Sequence, residues 1–138
     1  MSNPLLNILL VEDDEVDVMN VKRAFEKYHI MNPVFVAENG LEALQMLRTG
    51  AVPGERRIIL LDLNMPRMNG IEFLRALRAD AELKSTTVVV LTTSNNDRDK
   101  IEAYNLNVAG YLVKPVTFSE FAELMITLNK YWSLVELP

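Results

Sequence analysis

The sequence predicts an α/β protein: an open parallel sheet of five strands, doubly wound by helices on its two faces. Three observations predict it. Five short runs rich in Val, Ile and Leu recur along the 138 residues, and stretches with helical spacing separate them. No internal repeat, low-complexity tract or Gly/Ser linker divides the chain. A length of 138 residues fits one domain, because two independently folding halves would each be marginal.

The first strand is read at residues 8–11. After it, Val18, Val21, Phe25 and Tyr28 fall at i, i+3, i+7 and i+10, one face of a helix, while Arg23, Glu26 and Lys27 point elsewhere. The second strand is 34–37. Asn39 then caps a helix with Glu42 at its N3 position. The longest irregular stretch, 49–57, leads into the third strand at 58–61, and Ile71, Leu74 and Leu77 mark the helix that follows. The fourth strand is 88–91. A fourth helix from about 97 to 104 has few apolar residues, and 111–113 is the weakest strand. Thr117, with Glu120 at N3, caps a long last helix in which Phe118, Phe121, Met125, Leu128 and Trp132 keep the helical spacing.

Composition narrows the function. Apolar residues make up 49% and charged residues 24%, the balance of a globular protein. Fourteen basic against 19 acidic side chains give a net charge of −5, which argues against nucleic-acid binding. The absence of cysteine excludes disulfides, thiolate metal sites and a cysteine nucleophile. The start, Met1-Ser2-Asn3-Pro4-Leu5-Leu6, lacks a basic signal region, and no segment approaches the ~20 apolar residues of a membrane span, so a cytoplasmic protein without membrane attachment is expected.

Ligands of an open doubly wound sheet bind outside the carboxyl ends of its strands. The first strand ends in Val11-Glu12-Asp13-Asp14 and the third in Leu61-Asp62-Leu63-Asn64-Met65-Pro66. Converging carboxylates repel by about 4 kcal/mol per pair at 4 Å and an effective dielectric of 20, and a dication removes that repulsion. Hard oxygen ligands without His or Cys suit Mg²⁺. Taken alone, Glu12, Asp13 and Asp14 read more readily as an N-cap and dipole compensation for the first helix than as metal ligands. The fourth strand ends in Leu91-Thr92-Thr93-Ser94 and the fifth in Val113-Lys114-Pro115, placing a hydroxyl and an ammonium where phosphoryl oxygens could be held. Thr92 alone reads as an ordinary strand residue, and Lys114-Pro115 as an ordinary turn. Their joint occurrence beside an acid pair is what points to a site.

These segments, with Leu9-Leu10-Val11-Glu12-Asp13-Asp14, Leu60-Leu61-Asp62-Leu63-Asn64-Met65-Pro66-Arg67-Met68-Asn69-Gly70, Val90-Leu91-Thr92 and Gly110-Tyr111-Leu112-Val113-Lys114-Pro115, resemble the receiver domains of two-component response regulators, the family of the small chemotaxis regulator. The resemblance spans nearly the whole chain in the family's order and spacing. It implies the flavodoxin-like strand order 2-1-3-4-5. It implies that Asp62 accepts a phosphoryl group from a histidine kinase, and that Asp13, Asp62 and the Asn64 carbonyl coordinate Mg²⁺ or Mn²⁺, with Glu12 acting through a metal-bound water. Thr92 would close on the phosphate, Lys114 would be its cationic partner, Tyr111 would change rotamer with Thr92, and the Lys114–Pro115 bond would be cis. The protein would then be a bacterial, cytoplasmic phosphoacceptor rather than a turnover enzyme, assisting its own phosphorylation and slow dephosphorylation.

Thr93 departs from the small residue more usual after the switch threonine, which suggests a tighter phosphate pocket. Asn64 and Ser94 flank that pocket and are uncharged. The receiver pattern is assigned to 1–132, leaving 133–138 as a short tail and no effector domain, so output is expected through contact with another protein. Tyr131, Trp132, Leu134, Val135 and Leu137 give an apolar end that reads either as an interaction surface or as an extension of the core. The Tyr-Trp pair, the apolar tail and the Thr-Thr-Ser run look like the stand-alone regulators paired with phytochrome-type kinases, a subgroup whose members tend to be dimers. His29 reads as a surface residue, and the methionines as core filling. The main rival is a phosphatase of the haloacid dehalogenase class, disfavoured because Asn64 stands where such enzymes carry a general acid/base. A nucleotide-binding module is disfavoured because no Gly-rich loop follows the first strand.

Overall fold

A computed structural model describes residues 5–54 and 56–137. Met1 to Pro4 of the start, Glu55 of the irregular stretch and Pro138 of the tail lie outside the described residues. Strands and helices alternate strictly: β1 Asn7–Val11, α1 Glu15–Lys27, β2 Val34–Ala37, α2 Gly40–Thr49, β3 Arg57–Leu61, α3 Gly70–Ala79, β4 Thr87–Thr92, α4 Asp97–Asn105, β5 Gly110–Val113 and α5 Phe118–Leu134. All pairings are parallel, in the order β2-β1-β3-β4-β5.

Strand periodicity divides the interior into two cores. Leu9, Val11, Ile59, Leu61, Val88 and Val90 face one side, where Leu44 and Leu47 of α2, Phe73, Leu74 and Leu77 of α3 and Ala103 of α4 cover them. Ile8, Leu10, Ile58, Leu60, Val89 and Leu91 face the other, under Val21 and Phe25 of α1 and Phe121, Met125, Leu128 and Trp132 of α5. The edge strands β2 and β5 are only partly buried, which is why their sequence signal is weaker.

The apolar stripe of α1 stops one position early. Tyr28 ends that helix as its C-cap and is exposed, and His29 follows in the left-handed region at φ 55°, also exposed as its sequence position suggests. At the other end of the chain α5 continues through Leu134, and Leu137 packs on the α1/α5 core while Leu134 stays in solvent. Among the described residues, no helix is long and apolar enough to cross a membrane.

One expectation is corrected. The Lys114–Pro115 bond is trans, since no cis peptide occurs among the described residues. Trans is the intrinsically favoured isomer by about 0.5–1 kcal/mol. The Lys114 N–H donates to the Thr92 carbonyl at 2.8 Å, so the ladder to β4 continues to the residue before the proline.

Candidate functional site

Register brings the chemistry together. Val11 pairs with Leu61, Leu61 with Val90 and Thr92 with Val113, so the residues after β1, β3 and β5 and the last residue of β4 share one edge. The first residues past β1 and β3 stay fastened to a neighbouring strand. The Glu12 N–H donates to the Ala37 carbonyl at 2.9 Å, and the Asp62 N–H to the Val11 carbonyl at 3.0 Å.

The three acids after β1 separate into different tasks. Asp14 is the N-cap of α1, its Oδ1 accepting from the N–H groups of Val16 (2.8 Å) and Asp17 (3.3 Å). Glu12 is buried and Asp13 exposed, and with buried Asp62 they bring carboxylate oxygens within 4.8 Å of one another. That is a donor set for one hard divalent cation, Mg²⁺ or Mn²⁺, which takes oxygen ligands at ~2.1 Å and completes its shell with water. Asn64 is exposed two residues past Asp62, and its N–H lies 3.4 Å from Asp62 Oδ1.

Thr92 is fully buried and donates from Oγ1 to Asp62 Oδ1 at 2.7 Å. Its Oγ1 also accepts from the Ser94 N–H at 3.3 Å. Ser94 in turn donates from Oγ to Asp99 of α4 at 2.7 Å, and its carbonyl accepts from the Tyr111 hydroxyl at 2.9 Å. Tyr111 is thus turned toward the β4–α4 loop, and burial raises its phenol above the usual value. Thr93 points to solvent.

Lys114 has a side chain only 7% exposed. Its ammonium binds Glu12 Oε1 and Asp17 Oδ2, the latter at 2.7 Å, and lies 3.7 Å from Asp62 Oδ2. Burial alone would lower the Lys114 pKa, but the bonds to Asp17 and Glu12 and the field of Asp62 raise it to about 12. Burial pushes the Glu12 carboxyl up to about 8, with Asp62 adding to the rise and Lys114 opposing it. An acid-lined hollow of about 370 Å³, bordered by Asp13, Glu38, Glu42 and Arg67, opens beside the cluster.

Asp17 was not singled out in the sequence, where an acid in the first turn of a helix reads as dipole compensation. Nor was Asp99, which looks like the same thing in α4. The remaining candidates, Glu12, Asp13, Asp62, Asn64, Thr92, Tyr111 and Lys114, all gather at this edge, with Pro115 directly behind Lys114.

Residues 8–126 match the response regulator receiver domain. The response regulator Rcp1 of Synechocystis sp. is 36% identical over 141 residues, covering 99% of this chain and 96% of that protein. A probable methanogenesis regulatory protein, FilR2 of Methanothrix harundinacea, is 36% identical over 91% of this chain and 82% of its own length. Among solved structures, the phosphorylated cyanobacterial phytochrome response regulator RcpA superposes with a TM-score of 0.87 at 32% identity, covering 98% of this chain and 99% of that one. The Mn²⁺-bound form of Rcp1 gives 0.83 at 34% identity, with coverage of 98% and 99%. With the sheet order, the strand-end residues and these relatives in agreement, the chain belongs to the response regulator receiver domain family.

Proposed function

We propose that this receiver domain accepts a phosphoryl group on Asp62 from a phosphohistidine of a histidine kinase of the phytochrome type, and signals through a change in its interaction surface. The observation that carries the reading is the setting of Asp62. This carboxylate is buried, bonded by Thr92, 3.7 Å from the Lys114 ammonium and within 4.8 Å of two further carboxylates. The kinase class rests on the similarity to phytochrome response regulators such as RcpA.

In the transfer an Asp62 oxygen forms the new O–P bond, the donor's N–P bond breaks, and its electron pair returns to the imidazole nitrogen. The chain needs no general base for this step. A bound divalent cation supplies charge neutralisation for the phosphoryl oxygens. Lys114 donates from its remaining N–H to one of them.

The switch follows from Thr92. Its hydroxyl is spent on Asp62 in this structure, and a phosphoryl group offers it a stronger acceptor. Turning toward that acceptor withdraws Oγ1 from the Ser94 N–H, and Ser94 is the residue that holds both Tyr111 and Asp99. Taking a 1:99 population to 99:1 requires about 5.5 kcal/mol of differential binding, within reach of a charge-assisted network.

The test is labelling with radioactive acetyl phosphate and Mg²⁺, followed by transfer from autophosphorylated phytochrome-type kinases. Wild type should label stoichiometrically, Asp62→Asn not at all, and Thr92→Ala should label but fail to change surface. Labelling of Asp62→Asn at the wild-type rate, or catalytic phosphate release, would overturn the reading.

A further inference from the structure

We infer that Asp17 is a positioning residue that holds the Lys114 ammonium beside Asp62 rather than on it, leaving the Asp62 carboxylate open to a divalent cation. The inference deepens the proposed phosphoacceptor reading and rests on it for its biological use, but its geometry stands apart. Asp17 is the third residue of α1, ninety-seven residues from Lys114 in sequence, and its Oδ2 lies 2.7 Å from Nζ. A first-turn acid that merely compensated the helix dipole would point along the axis into solvent. This one is half-buried and bonded across to the far edge of the site.

The ammonium has three N–H donors. Glu12 and Asp17 take two of them, and the third faces Asp62 Oδ2 at 3.7 Å, beyond hydrogen-bond length. Lys114 is too buried for water to replace a lost partner, and a buried ammonium does not go unpaired. Remove the Asp17 carboxylate, and the next carboxylate beside Nζ after Glu12 is that of Asp62, whose Oδ2 at 3.7 Å a shift of about 1 Å would bring within bonding range. Lys114 would then compete with the cation for the carboxylate they share. With Asp17 present, Lys114 is fixed and the third N–H stays available for an arriving phosphoryl oxygen.

The test needs no phosphodonor. Mn²⁺ binding, read from the electron paramagnetic resonance signal of the free ion, is compared among wild type, Asp17→Ala, Lys114→Met and the double variant. Asp17→Ala, which leaves no acceptor at that position, should weaken Mn²⁺ about tenfold in the wild-type background but at most about twofold when Lys114 is already Met, because the loss acts through the lysine. Equal losses in both backgrounds, or no loss at all, would overturn the inference. A cation-free crystal structure of Asp17→Ala gives a second reading that requires no lysine variant. Lys114 Nζ should lie within hydrogen-bond distance of Asp62 Oδ2, and an ammonium still standing off Asp62 would overturn it. Failure of Asp62 to take label would leave both readouts intact, so the two readings fail separately.

Discussion

Glu12 bears much of the electrostatic strain of the site. It is 3% exposed and its carboxyl is raised to about 8, chiefly by burial. A divalent cation binds the ionised form, so below that value a proton must leave before the metal enters. Mn²⁺ affinity should therefore rise with pH up to about 8, and binding at pH 7 should release a proton, measurable by calorimetry in two buffers of different ionisation enthalpy. Lys114, held at about 12, keeps its charge throughout that range. The same shift has a stability consequence with a definite sign. Between the ordinary carboxyl value of 4.5 and about 8 the cation-free folded state binds more protons than the unfolded chain, so this contribution is present at low pH and is lost as pH rises through the window. Saturating Mg²⁺ should flatten that slope.

Arg78 shows what a sequence hides at this scale. It reads as the basic residue expected in the last turn of α3, yet its guanidinium donates to the carbonyls of Leu106 (2.7 Å), Lys84 (2.8 Å), Thr86 (2.7 Å) and Asn107 (3.0 Å). It ties the α3–β4 and α4–β5 connections together. A lysine has three donors on a point charge and cannot span that set. Arg78→Lys should cost about 2–4 kcal/mol in urea unfolding. Neither Arg78 nor Asp17 was legible, because each task depends on partners distant in sequence.

Among elements, α3 sets the position of Asp62 most tightly. Asn69 and Glu72 form a reciprocal capping box, and the Gly70 N–H donates to the Leu63 carbonyl at 3.0 Å. A Cβ on Gly70 would lie 2.7 Å from both the Asp62 carbonyl oxygen and Leu63 Cα, so backbone must move. At Gly40 the obstruction comes from side chains rather than backbone, Met68 Cγ at 2.7 Å and Phe73 Cβ at 2.9 Å. Gly70→Ala should accordingly destabilise by about 2–3 kcal/mol and lower the labelling of Asp62, while Gly40→Ala costs less. Thermal unfolding and acetyl phosphate labelling check both. The caps at Asn39 and Thr117 were readable in advance because a capping side chain acts within three residues of itself. The extent of α4 was harder to read, since only Ala103 of that helix is buried and its ion pairs to Arg75 and Arg98 leave little apolar period.

At the scale of the whole molecule, the two-sided core explains why so much of the fold could be read from the sequence. Interior strands β1, β3 and β4 are covered on both faces and are apolar nearly throughout, so runs of Ile, Leu and Val announced them. The site was legible for the same reason, since an acid or hydroxyl that ends an apolar run must emerge at the sheet edge. The isomer at Pro115 and the far partners of Lys114 were not, because both depend on how β5 leaves the sheet. Tyr131 and Leu134 of α5 remain exposed. We expect a homodimer in sedimentation at micromolar concentration, and a monomer both with and without beryllofluoride would count against it.

Trp132, the only tryptophan, sits deep in the α1/α5 layer at 1% exposure, with its ring 6.2 Å from that of Phe25 and its indole N–H bonded to Asn129 at 2.9 Å. It lies with Leu6, His29 and Ile30 around a hollow at the amino-terminal ends of the strands, at the opposite pole from Asp62. Its emission should thus be blue-shifted in the native chain and red-shift on denaturation, yet stay quiet when cations occupy the carboxylates. The protein carries a built-in optical gauge of the integrity of its α1/α5 layer, spectrally separate from the events at its chemical end.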